Sequence, residues 1–104
     1  ARALEGKLPE HATIGPVAVS MDFRFARPKG HFGKRGLRDA APRWHHGKPD
    51  LDNLAKAVLD ALSILRVWEG DRQVIELVLA KRWAEPGEGP GMDLEIVTDT
   101  RKEG

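Results

Sequence analysis

The amino-acid sequence predicts an α/β (α+β) fold in which a small mixed sheet packs on one or two helices. Residues 16–26 alternate apolar and polar side chains, as a half-buried strand does. Residues 50–65 carry apolar side chains at helical spacing, and two more alternating segments follow. Because a chain of 104 residues can bury one hydrophobic core but not two, we expect residues 1–104 to form a single domain.

The first predicted strand runs from Pro16 to Ala26. Its odd-numbered positions are apolar, whereas its even-numbered positions are mostly small or polar. Since successive side chains of a strand point to opposite faces, we expect one face to be buried and the other to be exposed. The apolar positions are Val17, Val19, Met21, Phe23 and Phe25.

A long irregular loop is predicted over residues 27–49, which are rich in glycine and proline and show no sustained apolar period. Loops of this length in compact domains are usually functional or disordered. Asp39 is the only acidic residue between Arg24 and Lys48, and the chain after Trp83 is mainly acidic. The basic residues of this stretch are Arg24, Arg27, Lys29, Lys34, Arg35, Arg38, Arg43 and Lys48. Charge alone favours equally a segment that binds a polyanion and an ordinary solvated loop.

A helix follows the loop, with Asp50 as its predicted N-cap. Its apolar stripe consists of Leu51, Leu54, Val58, Leu62 and Leu65. A second strand is predicted over residues 72–83 and a third over residues 92–96, with a loop rich in glycine and proline between them. We expect these last two strands to pair as an antiparallel hairpin.

The beginning of the chain reads as the end of a helix. Ala1–Glu5 has helical composition, and Gly6 follows at a position where a helix would stop. We therefore expect an N-terminal strand and part of a helix to be missing ahead of residue 1.

Composition excludes several classes of protein. Charged residues make up 32% of the chain and hydrophobic residues 40%, which is typical of a globular protein. The absence of cysteine excludes disulfides, thiolate nucleophiles and cysteine-based zinc sites. No apolar run approaches the ~20 residues that span a bilayer, and no signal peptide opens the chain, so we expect a cytoplasmic location without membrane contact.

The start of the predicted helix concentrates groups that suit metal-assisted chemistry. Asp50, Asp52 and Asn53 place oxygen ligands there, Lys56 adds a cation one turn later, and Asp71 follows the helix. Hard oxygen ligands of this kind suit Mg²⁺ and the hydrolysis of a phosphodiester. Each residue also has a structural explanation. Asp50 could be an N-cap, Asp52 and Lys56 could form an ion pair between positions i and i+4, and Asp71 could be a turn residue.

The position of Asp71 leaves two geometries open. A helix of ~15 residues is ~22 Å long, so Asp71 would lie far from Asp52 if the chain simply continued. Either the chain returns along the helix, or a second subunit supplies the missing ligand. The histidines His31, His45 and His46 lack a cysteine to close a zinc site, and we interpret them as phosphate contacts.

Three segments resemble the RusA family of Holliday junction resolvases: Lys48–Lys56 (KPDLDNLAK), Val58–Leu62 (VLDAL) and Val67–Val74 (VWEGDRQV). The similarity runs from about Pro16 to Val97. One departure is Gly70, which stands where the family usually has the first of two acidic residues.

The resemblance implies a homodimeric endonuclease that binds branched DNA, in particular four-way junctions, and depends on Mg²⁺, with Mn²⁺ as an alternative ion. The family's metal ligands fall on Asp50, Asp52 and Asp71, and its catalytic lysine falls on Lys56. Such an enzyme would make paired symmetric nicks in DNA recombination and repair.

DNA contacts are expected from the basic loop, with Lys81 and Arg82 as further candidates. The loop residues assigned to DNA are Arg27, Lys29, Lys34, Arg35, Arg38 and Lys48. Two alternatives to a resolvase remain: a non-catalytic, degenerate module that binds branched DNA, and a metal-dependent nuclease acting on another branched or flap substrate.

Overall fold

The computed structural model describes residues 12–98 and shows a mixed α+β fold, as the sequence predicts. Single 3₁₀ turns cover Lys29–His31 and Asp71–Gln73. The regular elements are β1 (Val17–Phe25), β2 (Phe32–Gly33), β3 (Gly36–Leu37), α1 (Leu51–Ile64), β4 (Val74–Trp83) and β5 (Gly91–Thr98). The predicted helix tail over Ala1–Glu5 lies outside the described residues.

The three long strands form one sheet in the order β4–β1–β5. β1 pairs in parallel with β4 and antiparallel with β5, so the predicted hairpin between the last two strands is wrong. β1 takes the central place because four of its side chains are buried on one face, more than on either neighbour. Residues 84–90 are long enough to cross the ~10 Å that separates strands on either side of a third.

The core lies between this sheet and α1. Leu62 is fully buried and contributes to the core together with the inward-facing side chains of β1. Ala55 is also buried, although it is not part of the predicted apolar stripe. Leu65, which is part of that stripe, is half exposed. The buried cluster consists of Val17, Val19, Met21, Phe23, Ala55, Leu62, Val67, Trp68 and Leu94. None of the helical segments among residues 12–98 is long and apolar enough to cross a membrane.

The opposite face of the sheet carries a network of ion pairs. Arg82 donates from Nη1 and Nη2 to both carboxylate oxygens of Glu88 at 2.7 and 2.9 Å, and from Nε to Asp22 at 3.1 Å. Arg24 pairs with Asp93 at 2.6 Å. Glu88 also accepts the backbone N–H of Glu85 at 2.8 Å, so the network fastens the connection between β4 and β5 to the sheet.

These contacts change the acid–base behaviour of the pair. The hydrogen bond from Arg82, followed by the one from the Glu85 backbone, lowers the pKa of Glu88 from 4.5 to about 2. The hydrogen bond from Glu88 raises the pKa of Arg82, although partial burial opposes the rise. A carboxyl group whose pKa is lowered on folding stabilises the folded state above its unfolded pKa.

We expect Leu62→Ala to lower the free energy of unfolding by about 2–5 kcal/mol, because it opens a cavity in the core. Leu65→Ala is the matched control, since Leu65 is 50% exposed at the end of the same helix. Denaturant unfolding measures both. Equal losses for the two variants would contradict the described packing of α1.

We expect Glu88→Gln to lower the melting temperature at neutral pH, because the amide loses the charge that pairs with Arg82. The difference from the parent protein should disappear as the pH falls from about 4.5 to about 2, where Glu88 takes up its proton in the folded state. Thermal unfolding at several pH values measures this, with the exposed Glu76→Gln as control. A difference that persists at the lowest pH would show that the charge is not its source.

Candidate active site and nucleic-acid interface

The N-terminal end of α1 presents two aspartates. Asp50 is the N-cap by its extended backbone (φ −68°, ψ 142°), and its carbonyl accepts the N–H of Leu54 at 3.1 Å. Its side chain, however, makes no capping hydrogen bond. Asp52 accepts only the N–H of Asn53, at 3.0 Å. Both side chains are stabilised in a general way by the positive end of the helix dipole.

Lys56 stands one turn after Asp52 on α1. The ion pair that its spacing allows with Asp52 does not form, and within residues 12–98 the ammonium group of Lys56 makes no hydrogen bond or ion pair. Asp50 therefore makes no capping hydrogen bond with its side chain, and Asp52 makes no ion pair with Lys56, so neither of the purely structural roles is observed. Two carboxylates and one ammonium remain exposed and available to a ligand.

A tight turn after α1 determines where Asp71 lies. Two residues after the end of α1, Arg66 is in the left-handed conformation (φ 59°), and the N–H of Val67 donates back to the carbonyl of Leu62 at 3.0 Å. This reversal directs Val67 and Trp68 into the core and brings Asp71 beside the last turn of α1. There Oδ1 of Asp71 accepts the hydroxyl of Ser63 and, at 3.1 Å, the indole N–H of Trp68.

The three predicted metal ligands thus fall into two groups at opposite ends of α1. Asp52 and Ser63 are eleven residues apart in the helix, which corresponds to a rise of about 16 Å, and Asp71 is bonded to Ser63. The described residues contain no group of three His, Cys, Asp or Glu side chains that could hold a metal ion. The carboxylate oxygens of Asp50, Asp52 and Asp71 suit a hard divalent cation, but a single chain does not bring all three side chains to one ion.

Lys81 on β4 fixes the chain that leads into α1. Its ammonium donates to the carbonyl of Pro49 at 2.7 Å and to the carbonyl of Gly47. These bonds hold the backbone directly before Asp50. Lys81 therefore positions the start of the helix, and this contact leaves it less available for the DNA contact that the sequence suggested.

Arg27 anchors the basic loop from inside. Its side chain is only 3% exposed. Nε donates to the carbonyl of Ala84 at 2.8 Å, and Nη1 donates to the carbonyl of Pro42 at 2.7 Å and lies 3.2 Å from Nδ1 of His31. The burial and these contacts favour a structural role for Arg27 over direct contact with DNA.

Aromatic packing holds the same loop at a second point. The ring of His45 is buried and lies 4.3 Å from the ring centroids of both Phe25 and Trp83. His31 meets Trp83 edge-on at 5.0 Å. Backbone bonds from His45 to Lys81 and from Trp83 to the carbonyl before Trp44 add the segment to the edge of β4. His31 and His45 are therefore packing residues in this structure, and His46 is exposed.

The remaining cations of the loop project into solvent. Arg38 donates one bond to the carbonyl of Phe32 at 3.2 Å, and within residues 12–98 none of these cations pairs with a carboxylate. The loop therefore presents positive charge to solvent, while Arg27, His45 and Lys81 hold its backbone to the rest of the domain. Its exposed members are Lys29, Lys34, Arg35, Arg38, Arg43 and Lys48.

Comparison with known proteins assigns the chain to a family. The family model for Endodeoxyribonuclease RusA matches residues 1–96. The chain belongs to the RusA endodeoxyribonuclease family. Among curated proteins, this chain is similar to the uncharacterized protein YqaN of Bacillus subtilis (strain 168), with 31% identity over 80 residues. The match covers 74% of this chain and 56% of YqaN, so the chain spans a little over half the length of that relative. No solved structure matches significantly.

We expect Arg27→Gln to lower the free energy of unfolding by about 1.5–3 kcal/mol, because a buried, charged side chain loses its hydrogen bonds to two carbonyls. Arg35→Gln, an exposed residue of the same loop, should leave stability within about 0.5 kcal/mol. Denaturant unfolding of the two variants measures the difference. If Arg27→Gln proved as harmless as Arg35→Gln, the described anchoring of the loop would be incorrect.

Proposed function

We propose that this protein is a structure-selective DNA endonuclease that resolves Holliday junctions by paired symmetric nicks in DNA recombination and repair. Membership of the RusA endodeoxyribonuclease family supports the class of reaction. The observation that carries the proposal is the N-terminal end of α1, where Asp50, Asp52 and Lys56 are exposed and uncommitted next to an anchored basic loop.

The proposed roles follow from the chemistry of each group. Asp50 and Asp52 hold a divalent cation, Mg²⁺ or alternatively Mn²⁺, which when bound supplies a more acidic water and positive charge at the scissile phosphate. Lys56, one helical turn away, places an ammonium where negative charge develops on the phosphate oxygens. Asn53 donates its backbone N–H to Asp52 and helps to orient that carboxylate.

A homodimer would unite the two acidic groups. In this proposal Asp71 of the partner subunit completes the site of Asp50 and Asp52, because one chain separates them by the length of α1. Exposed apolar side chains close to Asp71 in the sequence support such an interface. Ile64 is 80% exposed, Ile75 is 72% exposed and Leu65 is 50% exposed, and a second copy would remove them from water.

The basic loop is the proposed DNA grip. Its exposed cations can neutralise phosphates without breaking internal ion pairs, since within residues 12–98 they have none. Phosphate contacts of this kind release counterions, so binding should weaken steeply as the salt concentration rises. The anchoring through Arg27, His45 and Lys81 lowers the entropy that the loop would lose on binding.

A labelled immobile four-way junction and a linear duplex of matched sequence test the proposal, each incubated with Mg²⁺ or with EDTA. We expect paired nicks in the junction only, and only with Mg²⁺. Asp52→Asn should reduce cleavage on the order of 10²-fold or more while junction binding is retained, because the cation site and the phosphate grip are separate. Asp60→Asn is the matched control, an exposed aspartate two turns later on α1.

The outcomes separate the alternatives. Junction binding that is indifferent to Mg²⁺, with no cleavage, would identify a non-catalytic module for branched DNA. Equal cleavage of flaps or other branches would identify a nuclease with a broader substrate range. Loss of both binding and cleavage in Asp52→Asn would contradict the division of roles between the acids and the basic loop.

A further inference from the structure

Asp71 is the end of a short hydrogen-bonded chain that begins in the core. The indole N–H of Trp68 lies 2.9 Å from the hydroxyl oxygen of Ser63 and 3.1 Å from Oδ1 of Asp71. The hydroxyl of Ser63 in turn bonds to the same Oδ1. An indole N–H can only donate a hydrogen bond, so the hydroxyl oxygen of Ser63 accepts from Trp68. The hydroxyl group of Ser63 then donates its own hydrogen bond to Asp71. The direction of every bond in the chain is therefore determined.

The donors are held by parts of the fold that do not depend on Asp71. Trp68 is 1% exposed, and its ring cannot turn without disturbing the core. Ser63 belongs to the last turn of α1. The indole N–H and the serine hydroxyl thus reach the carboxylate from two fixed directions.

The backbone that carries Asp71 is fixed as well. The side-chain oxygen of Gln73 accepts the backbone N–H groups of Glu69 and Gly70 at 2.8 and 2.9 Å. Its side-chain nitrogen donates to the carbonyls of Thr13 and Gly15 at 2.7 and 2.9 Å. All the hydrogen-bonding groups of this amide are used, and the turn from Glu69 to Gln73 is clamped to the segment before β1.

The consequence is an asymmetric carboxylate. Both side-chain donors reach Oδ1, whereas Oδ2 of Asp71 accepts no hydrogen bond within the described part of the chain. Asp71 is an exposed residue. Groups that bond the remote oxygen of a ligating carboxylate fix its orientation and typically change metal affinity 10–100-fold.

We propose that Ser63 and Trp68 are positioning residues that orient Asp71 so that Oδ2 is the atom offered to a divalent cation. This inference rests on the proposed function, in which Asp71 is a metal ligand. It adds two residues, one of them in the core, to the acidic residues and Lys56. The sequence pattern had indicated no role at the site for either residue.

Mn²⁺ binding to the full chain tests the inference, followed by the electron paramagnetic resonance signal of the free ion and without DNA. We expect Ser63→Ala to weaken Mn²⁺ affinity about 10-fold and Ser63→Thr, which keeps the hydroxyl, to restore it. Ser20→Ala on β1 is the matched control and should bind as the parent does. Trp68→Phe, which keeps an aromatic ring but removes the indole N–H, should resemble Ser63→Ala, and its thermal unfolding is recorded to verify that it folds.

Asp71→Asn separates failure of this inference from failure of the proposed function. If Asp71→Asn binds Mn²⁺ as well as the parent, Asp71 is not a ligand and the proposed metal set is wrong. If Asp71→Asn binds more weakly but Ser63→Ala and folded Trp68→Phe bind normally, the metal set stands and the positioning role is overturned. Weakening by Asp71→Asn and Ser63→Ala together, with rescue by Ser63→Thr, supports it.

Discussion

Burial of one face of β1 is the interaction on which the rest of the structure depends. β4 and β5 do not pair with each other, and each joins the sheet through β1. The same buried face receives α1, whose Leu62 contacts the core formed by β1. In the chain, α1 lies between the parallel strands β1 and β4, with Asp50 and Asp52 at its start and Asp71 beside its last turn. Both groups of acidic residues take their places from this arrangement.

The basic loop is held to the domain mainly by hydrogen bonds and aromatic packing, and within residues 12–98 its exposed cations form no ion pairs. Its support consists of a buried cation, Arg27, an aromatic stack around His45, and the bonds that Lys81 makes to two backbone carbonyls. These groups satisfy the backbone from the protein side. The outward-facing lysines and arginines are then left free for an external partner.

Sequence periodicity predicted the elements well because burial itself is periodic. The alternation in β1 and the stripe that contains Leu62 both lie where they were expected. Periodicity cannot show which strands are neighbours, and the hairpin prediction failed for that reason. Ala55 was missed since a small side chain carries little hydrophobic signal, although it is buried against the sheet.

The site was less accessible to sequence reasoning than the fold. The motif located Asp50, Asp52 and Asp71. The position of Asp71 beside the end of α1, however, depends on the left-handed backbone of Arg66, and arginine rarely adopts that conformation, so the sequence did not predict it. Arg27 and its exposed neighbours are chemically alike, and only burial distinguishes them.

The central place of β1 also has a consequence for the order in which the domain can form. β1 is made before β4 and β5, and both of these partners lie near the other end of the described chain. Pairing over such a sequence distance is slow, and it cannot begin on a ribosome until β4 has emerged. A nascent chain that ends before β4 carries all the cations of the basic loop but lacks Lys81 and the carbonyl of Ala84. During synthesis, the positive charge of the loop is therefore complete before the contacts that fix its backbone can form.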